Sequence, residues 1–376
     1  MTNLKELENL KNSTLRDRDI RFDILKILGI FSIILAHIIP RNIFFHIRNF
    51  DVPLMVIVSG SLFYCSSYKK NYSLATYLYK RIPRLIAPVW LFLSFYFISM
   101  YIAYSLFNKH YPYLLTKDII NSFILLDGIG YVWVIRVFIL MAIISTLILN
   151  LYRYLKDKKL FFIVLSIIYI VYEILFAIST NINLDSIPLL SILINKYLFY
   201  TIPYGCLFGL GVALPTMKQK SILIIGGLFL TIFLGLTGYL YCVQGVIPLA
   251  QTFKYSPRLY YLSYGIFMSM FAFTLVDTLC KKYNLNSQKN LVNKSIIFIS
   301  ASTLWIYLWH ILFLYIEKLL VKNNSSLNSN YVGIFLIITI LSIATTLAQK
   351  IIVSGVIRKN KFGQRYSEIL SILFLK

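Results

Sequence analysis

FDILKILGIFSIILAHIIP, residues 22–40, reads as a helix that crosses a bilayer. Apart from Asp23, Lys26, Ser32 and His37 it is apolar or glycine. At 1.5 Å rise per residue, the run 22–39 approaches the thickness of the hydrocarbon layer. The residues before it are polar, with Lys5, Lys11, Arg16 and Arg18. They lack the apolar core and small-residue cleavage site of a signal peptide, so the run is expected to stay in the mature chain. Nine more apolar runs follow, at 52–68, 85–107, 131–151, 160–178, 188–214, 221–242, 258–279, 295–320 and 331–355. The run at 52–68 is short and carries Gly60. The run at 188–214 is long and holds Asn195, Lys196 and Pro203, so its start is expected at the interface.

Composition makes the same demand. Of 376 residues 59% are hydrophobic and only 14% charged. A soluble domain of that size leaves too much surface wet to hide so large an apolar share. The 16% aromatic content suits side chains gathered at membrane–water interfaces. The formal charge of +23 would suggest nucleic acid in a soluble protein. In a membrane protein it is what basic loops facing anionic lipid produce, so no nucleic-acid partner is expected. Cys65, Cys206, Cys242 and Cys280 stand singly, without metal-ligand spacing, and no metal site is expected.

The basic residues fall in alternate loops. Five precede Phe22, five lie in 69–84, four in 152–159, two in 218–220, four in 281–294 and five after Val356. The other loops hold Arg41, Arg48, Lys109, Lys117, Lys254, Arg258 and Lys322. This alternation predicts an even number of crossings with both termini cytoplasmic. The expected fold is an all-α polytopic membrane helical bundle of about ten helices. It forms one transmembrane domain over 1–376, with a cytoplasmic lead (1–21) and a cytoplasmic tail (356–376).

Ionisable groups inside a bilayer are costly and mark functional positions. Lys26 and His37 are eleven residues apart, close to three helical turns. They therefore share one helix face, about 16 Å apart along the axis. A structural alternative has Lys26 snorkelling to the interface and His37 bonding a neighbouring helix. Arg81 and Arg84, in YKRIPRLIAPVW, also share a face, and two guanidinium forks suit a phosphate. On spacing alone an ordinary basic flank explains them better. Ser59, Gly60 and Ser61 permit close helix packing or leave room for a slender ligand. Arg136, beside Trp133, is expected to meet a carboxylate or a substrate. Glu173 is expected to orient His37 or to pair with Arg136. Asp51 sits beside Arg48 at the outer mouth.

These motifs together resemble the acyltransferase 3 family of multipass membrane acyltransferases. Lys26 and His37 match its basic residue, ten positions and histidine. Ser59-Gly60 matches its Ser-Gly element, and Arg81 and Arg84 match its Arg-x-x-Arg motif. Tyr307-Leu308-Trp309-His310 fits its late Tyr-Leu-x-His string. The first basic position is Lys26 where arginine is more usual, which keeps the charge but loses the fork.

The resemblance implies ten core helices and an acyl-coenzyme A co-substrate, commonly acetyl-CoA, held at the cytoplasmic side by Lys26, Arg81 and Arg84. It implies a cell-surface glycan or lipid-linked glycan as acceptor, and a place in the cell (cytoplasmic) membrane among its lipids. His37 is the expected catalytic base, acting on an acceptor hydroxyl. Ser59, Gly60, Trp133, Arg136, Glu173 and His310 are the candidates for the tunnel or acceptor site. The alternative from another class is a transporter or flippase of glycans or lipid-linked sugars. That reading gives no reason for the Lys26–His37 spacing to occur with the arginine pair, and no paired broken helices stand in matching halves.

Overall fold

In the computed structural model the described residues are 18–40, 43–70, 73–106, 111, 113–182, 187–285, 291–321 and 330–375. Most of the 1–21 lead, and Arg41, Lys109 and Lys322 of the loops read as external, lie outside them. The main helices are α1 (Ile20–Ala36), α2 (Asp51–Ser67), α3 (Leu74–Leu106), α4 (Trp133–Leu155) and α5 (Lys158–Ser179). They continue with α6 (Pro188–Thr216), α7 (Gln219–Gln244), α8 (Leu259–Lys282) and α9 (Leu291–Ala301). The chain closes with α10 (Thr303–Val321), α11 (Tyr331–Lys359) and α12 (Ser367–Leu373). There is no strand among the described residues.

Among the described residues nine helical stretches are long and apolar enough to cross a membrane: Phe44–Ser67, which ends in α2, then α3 to α8, α10 and α11. Helices satisfy every internal backbone group, which is why hydrocarbon admits them. The tenth expected crossing, α1, is only 17 residues and carries Arg21, Asp23 and Lys26 in its first two turns. It does not have to suit lipid, because α2, α8, α9 and α10 surround it. Its start is capped by the Asp19 carboxylate, which accepts from the Arg21 N–H at 3.1 Å. Phe22, Leu25, Ile30, Ile33 and Ile34 of α1 are buried in the core. By contrast α5, α7 and α11 bury little of themselves and form the lipid-facing rim.

Three departures from the hydropathy reading shape the site. Helix α3 has 33 residues, about 50 Å, and starts eleven residues before the apolar run. Arg81 and Arg84 therefore stand on continuous helix that outreaches the roughly 30 Å hydrocarbon layer. The run 295–320 is broken at Ser302 into α9 and α10. Side chains satisfy the polar groups freed there: Lys26 Nζ donates to the Ser300 carbonyl at 2.8 Å and Lys350 Nζ to Ser302 Oγ at 2.9 Å. Ser300 Oγ donates to Asp23 at 2.6 Å. Finally, Leu193–Leu198 of α6 winds as a π-turn, and Lys196 there pairs with Asp127 at 2.8 Å, exposed as expected for an interfacial start.

Helices α2 and α6 cross at Gly60 and Gly211. A Cβ built at Gly60 would lie 2.2 Å from the Phe208 carbonyl oxygen, and one at Gly211 2.1 Å from that of Ile57. Ser61 Oγ ties the crossing, donating toward the Gly211 carbonyl at 2.8 Å. Small residues here let two backbones touch, the usual device for joining helices where the hydrophobic effect cannot.

Candidate active site

A cavity of about 570 Å³ opens among α1, α2, α3, α4 and α10. Along α1 its lining residues are Lys26, Ile30 and Ile33, successive turns of one face. Lys70, Lys80, Arg81 and Arg84 gather with Lys26 at the basic end. Ser59, Phe63, Ile135, Met141 and Phe208 wall it further in, and Tyr307 of α10 lines it too. Lys26, Ser59, Arg81 and Arg84 are thus brought together around one space.

Arg81 and Arg84 are exposed and form no ion pair among the described residues. Cations left unneutralised at the mouth of an apolar cleft make a strong local field for a polyanion. The Ser-Gly element divides its work: Ser59 faces the cavity, while Gly60 is spent on the helix crossing.

His37, the next turn of α1 beyond Ile33, does not line the cavity. An aromatic layer stands between. The Tyr307 hydroxyl donates to the Tyr131 carbonyl at 2.6 Å, and the His310 ring packs on Tyr307 with centroids 4.9 Å apart. His37 lies on that layer, edge to face with Tyr131 at 4.6 Å and stacked on His310 at 5.5 Å and 19°. Lys26 and His37 share a face of α1 as their spacing predicts, but this layer parts the arginines from the imidazole. The lining of α1 ends one turn short, because two tyrosines and a histidine converge there.

His310 is fully buried, and its Nδ1 contacts the Tyr307 carbonyl. A carbonyl only accepts, so Nδ1 carries the proton and Nε2 keeps its lone pair. That Nε2 is buried and has no hydrogen-bond partner among the described residues. A naked acceptor beside a second imidazole is an arrangement able to hold or pass a proton.

The remaining candidates serve elsewhere. Arg136 is buried and donates to the carbonyls of Leu125 and Leu126 at 2.9 and 2.6 Å, with the Tyr200 ring 5.4 Å away. It fastens the loop before α4, rather than meeting a carboxylate. Glu173 pairs with Arg258 at 2.7 Å and accepts from the Leu259 N–H at 2.9 Å and Tyr169 at 2.7 Å. It neither orients His37 nor pairs with Arg136. A carboxylate in this setting takes the nearest guanidinium and helix N-terminus, and α8 supplies both.

Trp133 belongs to a cluster at the far end of α4. Its ring lies 5.5 Å from the Lys254 ammonium and 5.4 Å from Tyr255. Lys254 pairs with Asp51 at 3.2 Å, and Asp51 also takes Arg48 at 2.8 Å, all three nearly inaccessible. Burial lowers the proton affinity of Lys254, while the Asp51 charge opposes that shift. Arg48 beside Asp51 was readable from spacing. The reach of Lys254 across 203 positions was not.

The all-helical bundle and its membrane-length helices define a multipass membrane protein, with a cavity whose lining is basic at one end. The chain belongs to the acyltransferase 3 family: that family's model, described as an acyltransferase domain, matches residues 19–348. No curated protein and no solved structure matches the chain. The protein is therefore a multipass membrane acyltransferase.

Proposed function

We propose that this acyltransferase moves an acyl group, acetyl in the first instance, from cytoplasmic acyl-coenzyme A to a hydroxyl of a cell-surface polysaccharide or its lipid-linked precursor. The observation that carries the reading is the cavity itself: five cations at one end, a slender apolar interior, and two stacked imidazoles one aromatic layer beyond. The phosphates of the donor sit at Arg81, Arg84 and Lys26, where guanidinium forks and a point charge suit them. Its thioester arm lies along Ile30 and Ile33 of α1. The basic end then faces the cytoplasm, in keeping with the excess of Lys and Arg in that set of loops.

His37 takes the proton from the acceptor hydroxyl as its oxygen attacks the thioester carbonyl. The carbon–sulfur bond breaks, and the thiolate leaves with the proton returned by the imidazolium. The products are an ester and free coenzyme A. Reaction requires Tyr307 to swing aside, since in this conformation its side chain and Tyr131 part the cavity from His37.

Purified protein supplied with acetyl-CoA and a glycan acceptor is expected to release thiol and acylate the glycan. His37→Ala is expected to lose about 10²–10⁴ in transfer while coenzyme A binding persists. Undiminished transfer by that variant would overturn the assignment of the base.

A further inference from the structure

The chain does not stop at the family core. Residues 349–375 lie beyond the matched stretch 19–348, and they return to the cavity. After α11 the short helix α12 packs against α3. Ser371 and Leu375 line the cavity beside Arg84 and Leu85 of α3 and Ala301, Thr303 and Leu304 at the α9–α10 break. Leu373, on the other side of α12, lines a separate apolar groove with Ala87, Trp90 and Leu91. The helix is therefore a partition, with the cavity on one side and an open apolar face on the other.

Its end is fastened to α10. Trp305 Nε1 donates to the Leu373 carbonyl at 3.1 Å, and the Phe374 ring stacks on Trp305 with centroids 5.7 Å apart and planes at 15°. Such a pair holds a short helix that could not persist by itself, since seven residues are well below the length at which a helix is stable in isolation.

We propose that α12 and the turn after it are part of the acyl-donor site, with Ser371 and Leu375 touching the arm of the bound coenzyme A. The inference rests on the donor reading given above. Ser371 presents a hydroxyl to an amide-rich arm and Leu375 an apolar contact. The donor is thus held partly by a segment beyond the matched stretch.

The test uses the full-length chain. Ser371→Cys and, separately, Leu373→Cys are treated with a thiol reagent, with and without coenzyme A, and modification is read peptide by peptide by mass. The native Cys65 and Cys242, both exposed, serve as internal references. With coenzyme A at ten times its dissociation constant, about one site in eleven is free, so modification at Ser371→Cys is expected to slow about tenfold. Leu373→Cys, facing the groove, is expected to keep its rate. Ser371→Trp, which fills the cavity at that wall, is expected to weaken coenzyme A binding at least tenfold. If the parent chain binds coenzyme A but Ser371→Cys is unprotected and Ser371→Trp binds normally, α12 is not part of the donor site and the donor reading stands. If the parent chain binds no coenzyme A, both fall together.

Discussion

Replacing Gly60 by alanine tests how tightly the α2–α6 crossing is built. The added Cβ would sit 2.2 Å from the Phe208 carbonyl oxygen, against the 3.4 Å at which ordinary contact begins. The helices must therefore part by about 1.2 Å, or the backbone must twist by as much. Gly211→Ala asks for about 1.3 Å at the same crossing, from 2.1 Å to the Ile57 oxygen. Over-packing of this kind costs about 1–3 kcal/mol, because interiors are close-packed and a carbonyl cannot move alone. One separation relieves both clashes, so the double variant is expected to lose clearly less than the sum of the single losses. Ser59 and Phe208, which line the cavity from the two helices, move with the crossing. A shift near 1 Å is expected to lower transfer by up to about a hundredfold. The assay is thermal unfolding in detergent of the two single variants and the double, alongside acyl transfer. Gly227→Ala, with nothing within 4 Å of its Cβ, is the control and should match the parent. Additive losses in the double variant, or parent-like melting of Gly60→Ala, would show that the two backbones do not touch as described.

His310→Asn keeps a donor for the Tyr307 carbonyl but removes the Nε2 lone pair. It is expected to melt like the parent and to lose at least tenfold in transfer, with a changed pH profile; an unaltered profile would assign His310 to packing. Arg81→Ala and Arg84→Ala are each expected to weaken coenzyme A binding about threefold to tenfold and to flatten its salt dependence, measured by titration between low and high ionic strength. Unchanged affinity in both would remove the arginines from the donor site. Tyr307→Ala opens the aromatic layer, so donor hydrolysis is expected to rise relative to transfer, read as thiol release without acceptor. Glu173→Gln leaves Arg258 short of its charge partner and is expected to lower the melting temperature by several degrees with coenzyme A binding kept.

Hydropathy located nine of the crossings because the bilayer writes its thickness into each of them. It located α1 for a partly different reason, since its charges are tolerated by neighbouring helices rather than by lipid. The break at Ser302 was not legible, because residues 295–320 are apolar throughout apart from a few small and ionisable side chains. What stops the helix is a set of partners, Lys26, Asp23 and Lys350, that arrive from elsewhere in the chain. Among site residues, spacing alone placed Lys26 and His37 on one face and Arg81 beside Arg84. It said nothing of which helices face one another, so Glu173 and Arg136 were paired by type when each had a nearer partner. The stacking of His310 on His37, and the closing of the cavity by Tyr307 and Tyr131, depend on side chains more than 170 positions apart. The return of α12 was hidden for the same reason.

The bond from Lys26 to the Ser300 carbonyl gives the protein a latch. Ser300 lies three residues before the start of α10, the helix that bears both Tyr307 and His310. That carbonyl accepts from Lys26 and also from the Thr303 hydroxyl at 3.3 Å, so an anion that drew the ammonium away would leave it to Thr303 alone, and the first turn of α10 would tighten onto it. A charge captured at the mouth would in that way reach Tyr307 and His310 through the joint between α9 and α10.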